Sequence, residues 1–305
     1  MSSNLSGRVA VVTGAGAGIG RAAALELASH GATVVVNDRG SAHDGTGSST
    51  SPAQFVVDEI TALGGTARTN PADVGDFDQV AELVRSTVGE FGRLDIIVNN
   101  AGHYRAAPIW EMSEDDWDSI IRVHLKGQFN LIRNAAPVFM AQRYGRILNM
   151  SSRSGLGDAG KASYSAAKEG VIGLTRAVAR ELGPHGVTCN AVRPIAKTRL
   201  MPVSAAGLSV VADIPEPEEL APVMAYLVSE RAANVNGATF LLRGSQVALY
   251  SEPELLRTAY CPAGGWTFES FALAMGDGLG ADLRNEWTDF DPGKKVIGRV
   301  GASIV

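Results

Sequence analysis

The chain has 305 residues, 45% of them hydrophobic and 19% charged, and that much apolar surface can offset chain entropy, so a disordered polymer is excluded. With 27 Lys+Arg against 32 Asp+Glu the formal net charge is -5, which supplies no general drive toward nucleic acid or an anionic membrane and leaves a small molecule as the expected partner. Cys189 and Cys261 stand far apart, without metal-ligand spacing or the cysteine density of a stapled secreted domain, so no metal is expected and a reduced cytoplasm fits.

Met1 to Gly7 is polar and lacks the basic-then-apolar pattern of a secretion signal, and no apolar run approaches the ~20 residues of a membrane span. Val9-Ala10-Val11-Val12 follows, aliphatic at every position, as a strand covered on both faces reads. Thr13 to Gly20 then leads into an Ala/Leu-rich helix over Arg21 to His30, and its glycines let the backbone turn sharply and approach a pyrophosphate at the helix N-terminus. A second strand, Ala32 to Val36, runs on to Asp38, 18 residues beyond Gly20, where a carboxylate accepts hydrogen bonds from adenosine ribose hydroxyls. That carboxylate would repel a 2′-phosphate and Ala17 brings no cation, which predicts NAD rather than NADP, although the Arg39 guanidinium next door could bind a phosphate.

Gly40 to Pro52 reads as a Gly/Ser/Thr-rich loop and Ala53 to Leu63 as a helix. Leu94 to Val98 is the next apolar strand, and Trp117, Ile120, Ile121, Leu125, Phe129 and Ile132 recur at helical steps. Arg146 to Met150, Val187 to Val192 and Thr239 to Leu242 complete the strands read from apolar runs. The alternation predicts an α/β fold, a doubly wound parallel sheet of Rossmann type with helices on both faces. Residues 1–245 are expected to form a dinucleotide-binding catalytic domain. Residues 246–305, with Trp266, Trp287 and the glycines of Gly276 to Gly280, are expected to form an extension packed on the same domain or a neighbouring subunit.

Gly14, Gly18 and Gly20 are spaced T-G-x-x-x-G-x-G. Together with Asp73-Val74, Asn99-Asn100-Ala101-Gly102 and Tyr164-x-x-x-Lys168, they make the chain resemble the short-chain dehydrogenase/reductase family over roughly residues 5 to 245. The resemblance implies NAD(P)-linked interconversion of a secondary alcohol and a ketone. It implies cofactor contacts from Gly14, Gly18, Ile19, Gly20, Asp38, Asp73, Val74, Asn100, Ala101, Gly102, Tyr164, Lys168 and Thr198, and a homodimer or homotetramer built through the long helices.

Tyr164 and Lys168 lie at i and i+4, on one face of an expected helix. A tyrosine near its reference pKa of ~10 is a poor base at neutral pH, and a nearby ammonium joined by a positive nicotinamide ring favours the phenolate. The family pattern adds a serine that holds the substrate oxygen. Ser152 stands three residues before Gly155 and Ser151 stands 13 before Tyr164, the two rules that the family serine usually satisfies together; Ser152 is preferred and Ser151 stays open. His124 occupies the place of the family's relay asparagine, where an imidazole could donate and accept or could simply be packed.

His124, the Val36-Asn37-Asp38 strand end, the long loop after it and Trp117 to Gly127 resemble the (3R)-hydroxyacyl-CoA dehydrogenase unit of multifunctional enzymes, which implies a lipid-derived substrate such as a 3-hydroxyacyl-CoA. Arg193-Pro194-Ile195 departs from the family's Pro-Gly, and the expected lid, Leu200 to Pro217, is apolar. Arg105, Lys197 and Arg199 are the cations considered for the CoA phosphates. A steroid or other bulky alcohol dehydrogenase is the second reading, and a non-catalytic dinucleotide-binding module the third.

Overall fold

The structure, a computed structural model, describes residues 5–42, 44–198, 214–261, 265–281 and 283. Eight strands form one sheet in the order β3-β2-β1-β4-β5-β6-β7-β8. They are β1 (Val9–Thr13), β2 (Thr33–Asn37), β3 (Thr66–Asn70), β4 (Ile96–Asn99), β5 (Gly145–Met150), β6 (Val187–Pro194), β7 (Thr239–Arg243) and β8 (Gln246–Leu249). All neighbouring pairs run parallel except β7 and β8.

Helices α1 (Gly18–Ser29), α2 (Ser51–Ala62), α3 (Phe77–Phe91), α5 (Gly127–Gln142), α6 (Ala162–Leu182) and α7 (Ala221–Leu227) cover the two faces. Alternate strand residues feed separate cores. Val12, Val34 and Val36 join Leu27 of α1, Val56 of α2 and Met224 of α7 on one side, while Val11, Val35 and Ile97 join Leu83 of α3, Phe139 of α5 and Leu182 of α6 on the other. Burial on both faces is why these strands are aliphatic throughout. Strand order reverses between β1 and β4, and the crevice that such a reversal opens at the carboxyl ends of the strands is where ligands bind in this architecture.

Three local features depart from the sequence reading. Strand β3, Thr-Ala-Arg-Thr-Asn, has no apolar run because it is the sheet edge and none of its residues is fully buried. The helical stretch expected around Trp117 to Ile132 is α4 (Glu114–Ile121), a π-helical turn over Arg122–Lys126, and α5. The sheet continues past residue 245, because Gly244, at φ +52°, turns the chain and β8 pairs back onto β7.

One compact unit therefore extends to Tyr250, and a second begins at Ser251. Within the second, α8 (Phe268–Ala274) is capped by Thr267, and Trp266 meets Phe271 edge to face at 5.5 Å. Trp287, Arg199 and most of the expected lid lie outside the described residues. Among the described residues no helix is long and apolar enough to cross a membrane.

Candidate active site

The glycine turn is braced across the gap between β1 and β4. The Thr13 hydroxyl accepts from the Asn100 and Ala101 N–H groups at 2.9 and 3.0 Å, and the Asn100 amide donates to the Thr13 and Gly14 carbonyls at 2.9 and 3.1 Å. Asn100 thus spends its side-chain donors on the turn, which makes it a brace. A Cβ on Gly14 would lie 2.8 Å from the Ala101 Cα, and one on Gly20 would run into the Gly14 carbonyl. Gly18 has φ +55° and faces the Thr198 methyl group, and Ile19 packs against the first core.

No side chain caps α1, and no acidic residue lies in its first turn. Its first N–H groups stand with positive helix-end charge beside a cradle that side chains would fill, so these residues fit a dinucleotide pyrophosphate.

Asp38 is buried at the end of β2, where its carboxylate accepts from Gly16 N–H at 2.8 Å and Gly40 N–H at 2.6 Å. Arg39 is occupied: it donates to Asp73 at 2.9 Å and to the Gly45 and Gly47 carbonyls. Asp73 also receives Arg122 at 3.1 Å. Burial opposes its charge, but the Gly75 N–H, Arg122 and Arg39 outweigh it and hold the carboxyl below its ordinary range. Val74 beside it is buried, and its carbonyl accepts from Asn130 at 2.8 Å.

Tyr164 and Lys168 project from the first turns of α6 toward the end of β5. Of the two serines, Ser152 is the one whose side chain acts on the Tyr164 phenol, favouring its charged form. The Ser151 hydroxyl instead donates to the Lys168 carbonyl at 2.7 Å and is buried there, pointing at the α6 backbone. The two serines therefore do different work. Lys168 Nζ donates to the Met150 carbonyl at 2.7 Å and stands 5.5 Å from the centre of the Tyr164 ring.

Burial governs both groups. Desolvation pushes the phenol up to about 12, against the lowering by its Ser152 hydrogen bond, and pushes the amine down to about 7. Nζ is engaged by a carbonyl, and desolvation disfavours the charged form of either group.

His124 sits in the π-helical turn, packed against Gly102, where a Cβ would overlap its ring. Its ring stands edge-on to Tyr164 at 5.1 Å. The His124 Nε2 contact to the His103 carbonyl is 2.7 Å, shorter than the 3.2 Å to the His103 N–H, which assigns the proton to Nε2 and makes Nδ1 an acceptor. Nδ1 is buried without a hydrogen-bond partner. Burial first, then Lys168, hold the imidazole well below its usual pKa and outweigh the His103 bond, so it is neutral.

Three neighbours escaped the sequence reading. Tyr104 meets Tyr164 in a T-shaped contact at 6.1 Å, His103 carries the carbonyl that orients His124, and Gln128 shares the Met150 carbonyl at 3.1 Å. The signal for the first two is their position directly after Asn99-Asn100-Ala101-Gly102.

A glycine turn at an uncapped helix and a Ser-Tyr-Lys cluster at the end of β5 together define a dinucleotide-linked oxidoreductase. The chain belongs to the short chain dehydrogenase family, whose profile matches residues 8–203. It is an enzyme of the class that acts on CH–OH groups with a nicotinamide dinucleotide. It is 43% identical over 282 residues to the hydroxyacyl-CoA dehydrogenase ChsB1 of Mycobacterium tuberculosis, covering 87% of this chain and 86% of that one. Against the peroxisomal multifunctional enzyme type 2 of Drosophila melanogaster the identity is 44% over 232 residues, covering 73% of this chain but 37% of the longer protein. A crystal structure of a short chain dehydrogenase from Mycobacterium avium superposes with a TM-score of 0.79 at 41% identity, covering 90% of this chain and 96% of that one.

Proposed function

We propose that the chain is an NAD-dependent dehydrogenase that interconverts the secondary alcohol of a 3-hydroxyacyl-CoA and the corresponding ketone. The observation that carries the reading is the convergence of Ser152, Tyr164 and buried Lys168 at the end of β5, joined to the Asn99-to-Gly102 segment through His124. The hydroxyacyl-CoA named for ChsB1, a relative similar over most of both chains, supports the substrate class. Asp38 at the end of β2 and the commitment of Arg39 to Asp73 support NAD, since the guanidinium is already matched to a carboxylate.

Gly14, Gly18, Ile19, Gly20 and Thr198 would hold the pyrophosphate and nicotinamide side, with Asp38 at the ribose and Asp73 and Val74 at the adenine. A bound NAD+ would supply the hydride acceptor and a positive charge that favours phenolate at Tyr164. Tyr164 takes the substrate hydroxyl proton, and Ser152 donates to the same oxygen as its charge changes. Lys168, with its pKa brought down to about 7, exchanges protons readily at neutral pH, and the free Nδ1 of neutral His124 accepts the hydrogen bond that continues the path outward.

Arg105 is paired with Asp115 and Asp116 and Lys197 with Glu216, so neither is assigned to the CoA phosphates. Exposed Trp117 and Phe129 on α4 and α5 support assembly as a homodimer or homotetramer through these helices, which light scattering checks, and two free cysteines fit a cytoplasmic setting.

The test is NADH formation with 3-hydroxyacyl-CoA thioesters, steroids and simple secondary alcohols, repeated with NADP+. Preference for the thioesters with NAD+ is expected. Preference for steroids overturns the substrate class, and cofactor binding without turnover on any alcohol overturns catalysis.

A further inference from the structure

Arg193 is a buried guanidinium in a family segment where the chain departs from Pro-Gly. Its side chain is 4% exposed, and charges at that depth persist only when they are matched. The partners converge from three elements. Nη2 pairs with Glu169 of α6 at 2.8 Å, Nη1 donates to the Ser152 carbonyl at 3.2 Å, and the guanidinium lies over the Tyr250 ring at 4.8 Å.

The Ser152 turn is seated by the same contacts. Its carbonyl also accepts from the Gly155 N–H at 3.1 Å, and a Cβ on Gly155 would come within 2.9 Å of the Glu169 carboxylate and 3.2 Å of the Glu169 nitrogen. The Ser152 side chain accepts from the Ser154 N–H at 3.2 Å, which leaves its O–H to donate. The serine is thus carried on a tight turn pressed against α6, one residue past Lys168, and a β6 side chain bolts the turn to that helix.

We infer that Arg193 is a positioning residue that fixes the Ser152 hydroxyl relative to Tyr164, acting through the Ser152 carbonyl and Glu169. The inference rests on the roles proposed above for Ser152 and Tyr164. A displacement of the serine by about 1 Å is enough to cost on the order of 100-fold in turnover. Before substrate binds, it would also weaken the lowering that Ser152 exerts on the Tyr164 phenol against desolvation, while Lys168, Tyr104, Asp158 and His124, the other titratable groups around Tyr164, lie outside the Arg193 contacts.

The experiment measures kcat, KM and the pH profile of kcat/KM, which reports the enzyme before substrate occupies the serine, for NAD+ reduction with a 3-hydroxyacyl-CoA in Arg193→Met, Arg193→Lys, Glu169→Gln and Ser152→Ala. In Arg193→Met, kcat falls on the order of 10- to 100-fold with KM for NAD+ little changed, and the rising limb of the pH profile moves to higher pH. Arg193→Lys recovers part of both effects, and Glu169→Gln, altering a half-exposed partner, shows a smaller shift in the same direction. A merely structural Arg193 would lower thermal stability and the yield of active enzyme but leave the pH profile where it was.

Folded Arg193→Met with wild-type kcat and profile overturns the inference. If that variant does not fold, an unchanged Glu169→Gln overturns it. Ser152→Ala separates the two layers: its inactivity beside normal Arg193 variants rejects the positioning role alone, and its full activity rejects the serine assignment and the positioning role together.

Discussion

The Lys168 ammonium nitrogen and the Met150 carbonyl oxygen are 2.7 Å apart, a contact that ties the start of α6 to the end of β5 in a fully buried setting. It fixes the amine beside the phenol, and burial there makes the amine's charge costly.

That cost has a sign. The Lys168 pKa falls from 10.5 to about 7, so between these values the unfolded chain binds a proton that the folded chain does not, and stability rises with pH across this window. Tyr164, raised from 10.0 to about 12, adds stability below pH 10 that is lost as pH climbs toward 12. Denaturant unfolding between pH 7 and 9.5 should show a rise in the parent that Lys168→Met lacks. Parallel profiles would reject the burial argument.

Ser152→Ala should lower kcat by about 100-fold or more, the usual loss for removing a donor to an oxygen that gains charge. Ser151→Ala should keep most turnover and lose about 1 kcal/mol of stability, since it deletes one buried hydrogen bond to the Lys168 carbonyl. Steady-state kinetics and thermal melts on both proteins read this out; the reverse pattern would exchange the roles.

Asp38→Asn should narrow the preference for NAD+ over NADP+ in kcat/KM by tenfold or more, the scale of the ~1 to 4 kcal/mol that unit charges ~4 Å apart exchange. The amide removes the charge while retaining an acceptor oxygen for the Gly16 N–H. An unchanged ratio would mean that Asp38 serves the loop and not the ribose.

His124→Asn should keep most of the turnover, because an amide can also donate to the His103 carbonyl and present an acceptor. His124→Leu should lose on the order of 100-fold in kcat with KM for NAD+ little altered. Comparable activity in the two would reduce His124 to packing.

Much of this was legible in the residues. Buried parallel strands are aliphatic throughout, so β1, β2 and β4 read clearly, and glycine is demanded at position 14 between β1 and α1 because a Cβ there would lie 2.8 Å from the Ala101 Cα. Edge strand β3 escaped because half-exposed positions accept Thr, Arg and Asn. Ser151 and Ser152 alternate across one strand end, and which hydroxyl faces the phenol depends on how the turn seats on α6. The partner that seats it, Arg193, sits 41 residues downstream, beyond the reach of local pattern.

The central claim is that Tyr164 carries the proton, and single-turnover NADH formation by Tyr164→Phe with a 3-hydroxyacyl-CoA tests it most directly. A fall of about 100-fold or more, with NADH binding and thermal stability close to the parent, is the predicted result. Turnover within a few-fold of the parent would contradict the account.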